Sequence, residues 1–314
     1  MARILTPLDI LVCPNCQSPL YKQGDVLYCK KSSCGSIFSV KEGIFQFVKT
    51  FDEDSLQLSS DKWRTFYDET LSNDSYEDLY SNYMTNHFDS LYEQISEFKK
   101  VDKDLIFLEM GCGLMFLGRA ISDKCALVIG LDISNNALKI VKKKFDALGI
   151  KNYILIQGDI GQMPIKSNSI GLVYGGGVLE HLKNTNSAVE EFYRVLKKGG
   201  VSFNTIPHLN VGSLTYRQLW GNIPDFPLVR TVFAFIHIKL LKAKHMRFGY
   251  ELSFPARKMF KLHKKSGFRE VFITKFEVTL SFDYVLSGSL KRILRRVANS
   301  SPLFWPMIKV IGKK

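Results

Sequence analysis

Residues 105–133 read LIFLEMGCGLMFLGRAISDKCALVIGLDI, and the punctuation of this stretch decides the fold. The apolar run Leu105-Ile106-Phe107-Leu108 is bounded by Asp104 and Glu109 and flows into Gly111-Cys112-Gly113. A short apolar run that ends in a glycine turn is the pattern of a buried parallel strand. Glycine is needed there because the backbone turns sharply and approaches a ligand with no Cβ in the way. A second apolar run, Leu127 to Leu131, ends in Asp132. Strand, glycine turn, helix, strand, acid is the nucleotide-binding half of a doubly wound α/β sheet, with the acid placed for ribose hydroxyls.

A dinucleotide turn carries its third glycine at the sixth position of G-x-G-x-x-G. Here that position is Phe116, too bulky for close helix–strand packing against a pyrophosphate, which argues against NAD. The form Glu109-x-Gly111-x-Gly113 instead resembles motif I of the class I S-adenosylmethionine (SAM) methyltransferases. That resemblance implies a Rossmann-like, seven-stranded sheet and a SAM site touching Glu109, Gly111, Gly113, Asp132 and Ile133. Where the family often has a further glycine, this chain has Met115, expected to form an apolar wall beside the methionine moiety.

Downstream, a helix is expected over Asn135–Leu148, ended by Gly149, and then a strand Tyr153–Gln157 leading to Gly158-Asp159. In the family an acid here receives the adenine amino group and the next backbone, Ile160, meets the ring; a cap on a following helix is the plainer role. The segment SIGLVYGGGVLEHLKNTNSAVEEFYRVLKKGGVSFNTIP carries the most specific likeness: a fourth strand, the V-L-E-H-L turn Val178–Leu182, a helix ending in R-V-L-K-x-G-G, and a fifth strand ending at Pro207. With it the chain resembles the type-11 methyltransferases from about residue 60 onward, most specifically over 105–207. His181, in the turn at the carboxyl end of the fourth strand, is the candidate general base, or else a structural element of that turn. The N-P-P-Y-type turn that grips planar amino nitrogens is absent, and so is a Pro-Cys nucleophile for cytosine chemistry. Cys112 and Cys125 read as small packing residues.

Residues 1–50 form a separate module. Cys13-x2-Cys16 and Cys29-x4-Cys34, twelve residues apart, suit a tetrahedral zinc held by four thiolates, with disulfides as the alternative. The opening L-x-x-L-V-C-P-x-C-x-x-P-L and the ending F-S-V-K-E-G-I-F resemble the zinc ribbon of the small activator subunit of tRNA and protein methyltransferases, with the second pair departing from the commoner C-x2-C. Its core is expected to be separate from that of residues 105–314. Residues 51–104 are acidic and rich in aromatics at helical spacing; the resemblance to the type-11 methyltransferases implies that this segment folds over the cofactor with Tyr67 as its cover, and most of the neighbouring aromatics are expected on the sheet edge.

The 314 residues carry a net charge of +13, and residues 201–314 hold 20 Lys/Arg against 5 Asp/Glu. The excess points to an anionic partner, a membrane surface or RNA gripped between zinc ribbon and basic third, with a solvated basic face that meets nothing as the plainer reading. Residues 208–253 are expected as a substrate lid, with an apolar, basic helix over Asp225–Arg247, a helix over Ser253–Ser266, strands over Arg269–Phe276 and Met307–Ile311, and a basic helix over Tyr284–Ala298. MARILTPLDILV lacks the apolar stretch of a secretory signal, so a cytoplasmic chain, at most peripheral to a membrane, is expected. The leading expectation is a SAM-dependent methyltransferase for a small or amphiphilic, lipid-linked metabolite; an RNA methyltransferase and a non-catalytic SAM-binding scaffold are the others.

Overall fold

The computed structural model describes residues 6–48, 54–246, 249–276, 292–293, 296–297 and 300–314. The basic helix expected over Tyr284–Ala298 lies almost wholly outside the described residues.

After a single turn, α1 (Pro7–Ile10), the N-terminal module is an antiparallel meander of β1 (Leu20–Gln23), β2 (Val26–Cys29), β3 (Ile37–Lys41) and β4 (Ile44–Gln46). Three helical pieces follow: α2 (Asp54–Ser72), α3 (Tyr76–Tyr83) and α4 (Asp89–Ser96), the last two joined by a π-helical turn. The central alternation is β5 (Ile106–Met110), α5 (Phe116–Ile121), β6 (Leu127–Asp132), α6 (Asn135–Ala147), β7 (Tyr153–Gln157), β8 (Ile170–Gly176), α7 (Thr185–Val195) and β9 (Leu196–Pro207). Beyond it come α8 (Val211–Leu214), β10 (Ile223–Pro224), α9 (Val229–Ala234), β11 (Leu252–Ser253), α10 (Ala256–Lys265), β12 (Glu270–Phe276) and β13 (Met307–Lys313).

The strands of 105–207 are parallel and almost fully buried, as continuous apolar runs covered on both faces should be. The main sheet has eleven strands, in the order β1-β2-β3-β4-β7-β6-β5-β8-β9-β13-β12, rather than the expected seven. The extra four come from the N-terminal module. Its last strand, β4, runs parallel to β7 with Ile44 opposite Leu155 and Gln46 opposite Gln157. The expectation of two separate cores therefore fails. Ile10, Leu11, Leu20, Leu27, Val40 and Phe45 pack in one apolar cluster with Met110, Ile129, Ile156 and Phe192. A meander of about forty residues buries too little apolar surface by itself, and joining a larger sheet supplies the rest.

The lid also departs from expectation. The helix expected over Asp225–Arg247 begins only at Val229, after Pro227 and a left-handed Leu228 (φ 66°). It continues as a π-helical turn, Phe235–Leu240, and stops where Lys242 and Ala243 turn left-handed. The helix expected from Ser253 begins at Ala256, because Leu252–Ser253 pairs with Ile223–Pro224 and Pro255 occupies the N-cap. No helix among the described residues is long and apolar enough to cross a membrane.

Candidate active site

The carboxyl ends of β5, β6, β7 and β8 open on one cavity of about 400 Å³. It is lined by Glu109, Gly111, Gly113, Asp132, Ile133, Asp159, Ile160, Tyr67 and His181, so every SAM-site and catalytic residue expected from the sequence meets there. Volumes of this order hold a cofactor-sized molecule.

The glycine turn explains its own composition. Gly111 and Gly113 have φ of 53° and 49°; a Cβ on Gly111 would lie 2.7 Å from Val178, and one on Gly113 would lie 2.9 Å from the Tyr67 hydroxyl. The turn is thus pressed between the V-L-E-H-L segment and the aromatic cover, with no room for side chains. Met115 keeps the left-handed backbone of the missing glycine (φ 52°) and is fully buried. Its side chain fills the space left by Gly118 and Gly130, where added Cβ atoms would lie 2.7 and 2.8 Å from it. Although Met115 borders the cavity, its thioether packs into the core, so the expected wall beside the methionine moiety is only partly present.

Asp132 ties the turn to the sheet. Its Oδ2 accepts from the Gly113 amide (2.8 Å) and its Oδ1 from the Ser134 amide (2.8 Å). Burial raises its carboxyl, and the backbone donors oppose that. Each oxygen keeps a second lone pair for a ligand hydroxyl. Glu109 is engaged differently: its Oε2 accepts from the Gly118 amide (2.7 Å), which fixes the first turn of α5, and burial pushes it up to about 8. Asp159 takes the capping role, holding the short turn Ile160–Gln162 through the Gly161 amide (2.7 Å), and it also borders the cavity.

Trp63, Phe66 and Tyr67 share one face of α2 and roof the cavity. Arg119 holds the neighbouring α3, its guanidinium 2.9 Å from Glu77 and 3.6 Å above the Tyr80 ring. Trp63 meets His181 edge-on, with centroids 6.1 Å apart. Trp63 and Phe66 were missed as site residues, although their i, i+3 spacing with Tyr67 at i+4 was the available signal. Tyr250 was missed too. Its carbonyl lies 2.7 Å from His181 Nδ1 and can only accept, so Nδ1 carries the hydrogen and the neutral ring has its lone pair on Nε2. Burial lowers the His181 pKa, favouring that neutral form. Beside it, burial pushes Glu180 up to about 8, and its Oε2 has no partner among the described residues.

At the far end of the module the four sulfurs of Cys13, Cys16, Cys29 and Cys34 lie within 4.8 Å of one another, with Cys16–Cys29 at 3.4 Å and Cys13–Cys34 at 3.8 Å. Tetrahedral zinc with bonds of about 2.3 Å sets its sulfurs about 3.8 Å apart, so the cluster fits the ion. All six cysteines are free in this structure.

Residues 108–203 match the family model described as a methyltransferase domain. That match takes in about a third of the chain. An uncharacterized chloroplastic methyltransferase of Arabidopsis thaliana is 24% identical, over 63% of this chain and 61% of its own length. The demethylmenaquinone methyltransferase of Geobacillus stearothermophilus is 37% identical, over 24% of this chain and 32% of its own. The chain thus spans less than two thirds of either relative. The methyltransferase fold is shared with phosphoethanolamine N-methyltransferase 2 of Haemonchus contortus, solved with S-adenosyl-L-methionine: TM-score 0.50, 15% identity, 72% of this chain and 52% of that one. The domain match begins within β5 and stops within β9, so it takes in all four of the strand ends that open on the cavity and reaches neither the cysteine module nor the segment 208–253.

Proposed function

We propose that the protein transfers a methyl group from SAM to a small or amphiphilic, lipid-linked acceptor, reached at the face of an anionic membrane. One observation carries this: four strand ends converge on a single cavity that joins a glycine cradle, two acids and a neutral imidazole. SAM bound there supplies a methyl already activated on a sulfonium. The chain's part is then to hold the acceptor in line and keep water out. Gly111 and Gly113 let the backbone approach the cofactor, Asp132 takes the ribose hydroxyls, and Asp159 with Ile160 meets the adenine. Trp63, Phe66 and Tyr67 close the roof. His181 Nε2 takes the acceptor's proton where the acceptor must lose one.

The same reading gives Cys13, Cys16, Cys29 and Cys34 a structural zinc, because four thiolates leave no open coordination position. An apolar cavity wall and a lid rich in aliphatic side chains favour an amphiphilic acceptor over a nucleobase. The test is calorimetric titration with SAM, followed by release of S-adenosylhomocysteine on addition of fractionated lipid and polar extracts. Binding with turnover in a lipid fraction is expected. No SAM binding, or turnover only with RNA, would overturn the proposal.

A further inference from the structure

The lid's helix, α9 with its continuation to Leu240, has two apolar sides, and only one is packed. Phe233, Ala234 and Ile238 lie against the main core, and His237 is buried between Gln218 Oε1 (2.7 Å from Nε2) and His245 (2.8 Å from Nδ1). The Gln218 amide nitrogen donates to the Ser213 carbonyl, so its oxygen faces His237 and fixes that imidazole with a hydrogen on Nε2. The packed side is therefore well specified.

The other side is bare. Leu228 is 84% exposed, Leu240 65% and Phe235 61%, and Val232 lies between them on the helix. Leu219, 73% exposed, stands on the neighbouring turn, next to the Gln218 that touches His237. Large apolar side chains this exposed on one side of a fold mark a surface that meets a partner. Charge decides which partner. Lys239, Lys242 and Lys244 stand exposed at the end of the helix, and none is paired with a carboxylate among the described residues. Asp225 is the only acid between 211 and 246, and it is buried against Arg230 (3.2 Å) and Lys258 (2.6 Å). Such a face repels a second copy of itself. RNA would use the lysines but not the leucines. An interfacial helix on an anionic bilayer uses both, with its apolar side dipping below the headgroups and its cations at their level.

We infer that the outer face of the lid, centred on Leu219, Leu228, Phe235 and Leu240 with the lysines after them, seats in an anionic phospholipid bilayer. The inference deepens the proposed function and rests on reading 208–253 as a lid over the acceptor's route. Contacts inside the molecule support that placing. Arg230, on α9, donates to the Tyr250 hydroxyl (2.9 Å), and the Tyr250 carbonyl holds His181. The surface that meets the bilayer is thus two contacts from the candidate base. A lipid-linked acceptor would reach the cavity without its tail leaving the membrane.

The experiment is flotation of the full chain, without SAM, on vesicles of phosphatidylcholine alone or mixed with phosphatidylglycerol. Binding is expected on the mixed vesicles at low salt, falling about 10-fold at high salt or without the anionic lipid. The double variant Leu228→Ser/Phe235→Ser, the single Leu219→Ser and the triple Lys239→Gln/Lys242→Gln/Lys244→Gln should each lower it, the double and triple by about 10-fold. Melting temperature and SAM affinity are followed in parallel and should hold. Leu219→Ser lies outside the helix, so an apolar test survives if the double variant fails to fold. No flotation, equal flotation of folded variants, RNA retention in its place, or a dimer that the apolar variants dissociate would each overturn the inference. Loss of SAM binding with flotation intact would strike the proposed function alone.

Discussion

The N-terminal module and the segment 208–253 each touch a turn that lines the cavity, and they hold it in different ways. The module is sewn in by main chain. Besides the β4–β7 ladder, the Val12 amide donates to Pro164 (3.0 Å), Lys166 to Ile10 (2.8 Å) and Phe47 to Gln157 (2.8 Å). The cysteine knuckle itself takes part, since Gln162 Nε2 donates to the Pro14 carbonyl (3.2 Å) beside Cys13. These bonds brace residues 157–166, which carry Asp159 and Ile160. The lid is tied to the turn that carries His181 by one side-chain bond, from His181 Nδ1 to the Tyr250 carbonyl (2.7 Å), and behind it Arg230 joins Tyr250 to Asp225. A main-chain ladder opens only with the sheet, whereas side-chain tethers can release a lid while the sheet stays intact. Cofactor binding should therefore depend on the module, and acceptor handling on the lid.

The sharpest break in that comparison is His181→Ala. Loss of a general base should lower kcat by about 100-fold or more, with SAM affinity nearly unchanged. The base must be neutral, and burial lowers its pKa from the ordinary 6.5, so the rate should rise with pH along a limb lying below 6.5. Steady-state rates against pH check both points, and an unaltered kcat would leave His181 as a lid anchor only.

On the other side, Cys13→Ser should abolish zinc in elemental analysis and lower Tm by about 5 °C or more. Because the knuckle backs the Asp159 loop, SAM should also bind about 10-fold more weakly, as titration would report. Unchanged affinity in the metal-free protein would make the module a passive passenger and erase the contrast. Asp132→Ala belongs to neither side and calibrates both. It removes acceptors from the Gly113 and Ser134 amides as well as from the cofactor, so calorimetry should show about 10-fold weaker SAM binding. The smallest effect is reserved for Arg230→Gln. Loosening Tyr250 should raise KM for the acceptor about 3-fold and leave SAM affinity alone, since the hydrogen bond that Tyr250 makes to the site runs to His181 and not to Gly113, Asp132 or Asp159.

How legible this was in the sequence depended on the range of the forces involved. The strand ends carrying Gly111, Asp132, Asp159 and His181 were legible, because apolar runs and the residues that stop them are local signals. The cysteine cluster was legible for the same reason. The β4–β7 pairing was not. It joins a three-residue strand to a partner more than a hundred positions away, and nothing in IFQ states which edge it will meet. The lid helix was placed but misbounded, because a left-handed Leu228 gives no compositional warning. Met115 shows the same limit in reverse: the missing glycine was visible, whereas its compensation by Gly118 and Gly130 is a matter of packing.

The junction of β4 with β7 also bears on how the chain comes to be folded. Without residues 1–48, β7 would be a bare edge of apolar Ile154, Leu155 and Ile156, a ready template for pairing with another molecule. The meander moves the open edge outward to β1, which ends in exposed Tyr21, Lys22 and Gln23. During synthesis the cysteine knuckles can close on contacts within thirty-odd residues, long before β7 has been made. The ladder between Ile44 and Leu155 must wait for the central strands and is slow to form, as pairings between distant segments are. A module made ahead of the central strands is thus a ready-made guard for the edge that appears later, and its loss would be felt first as aggregation of newly made protein.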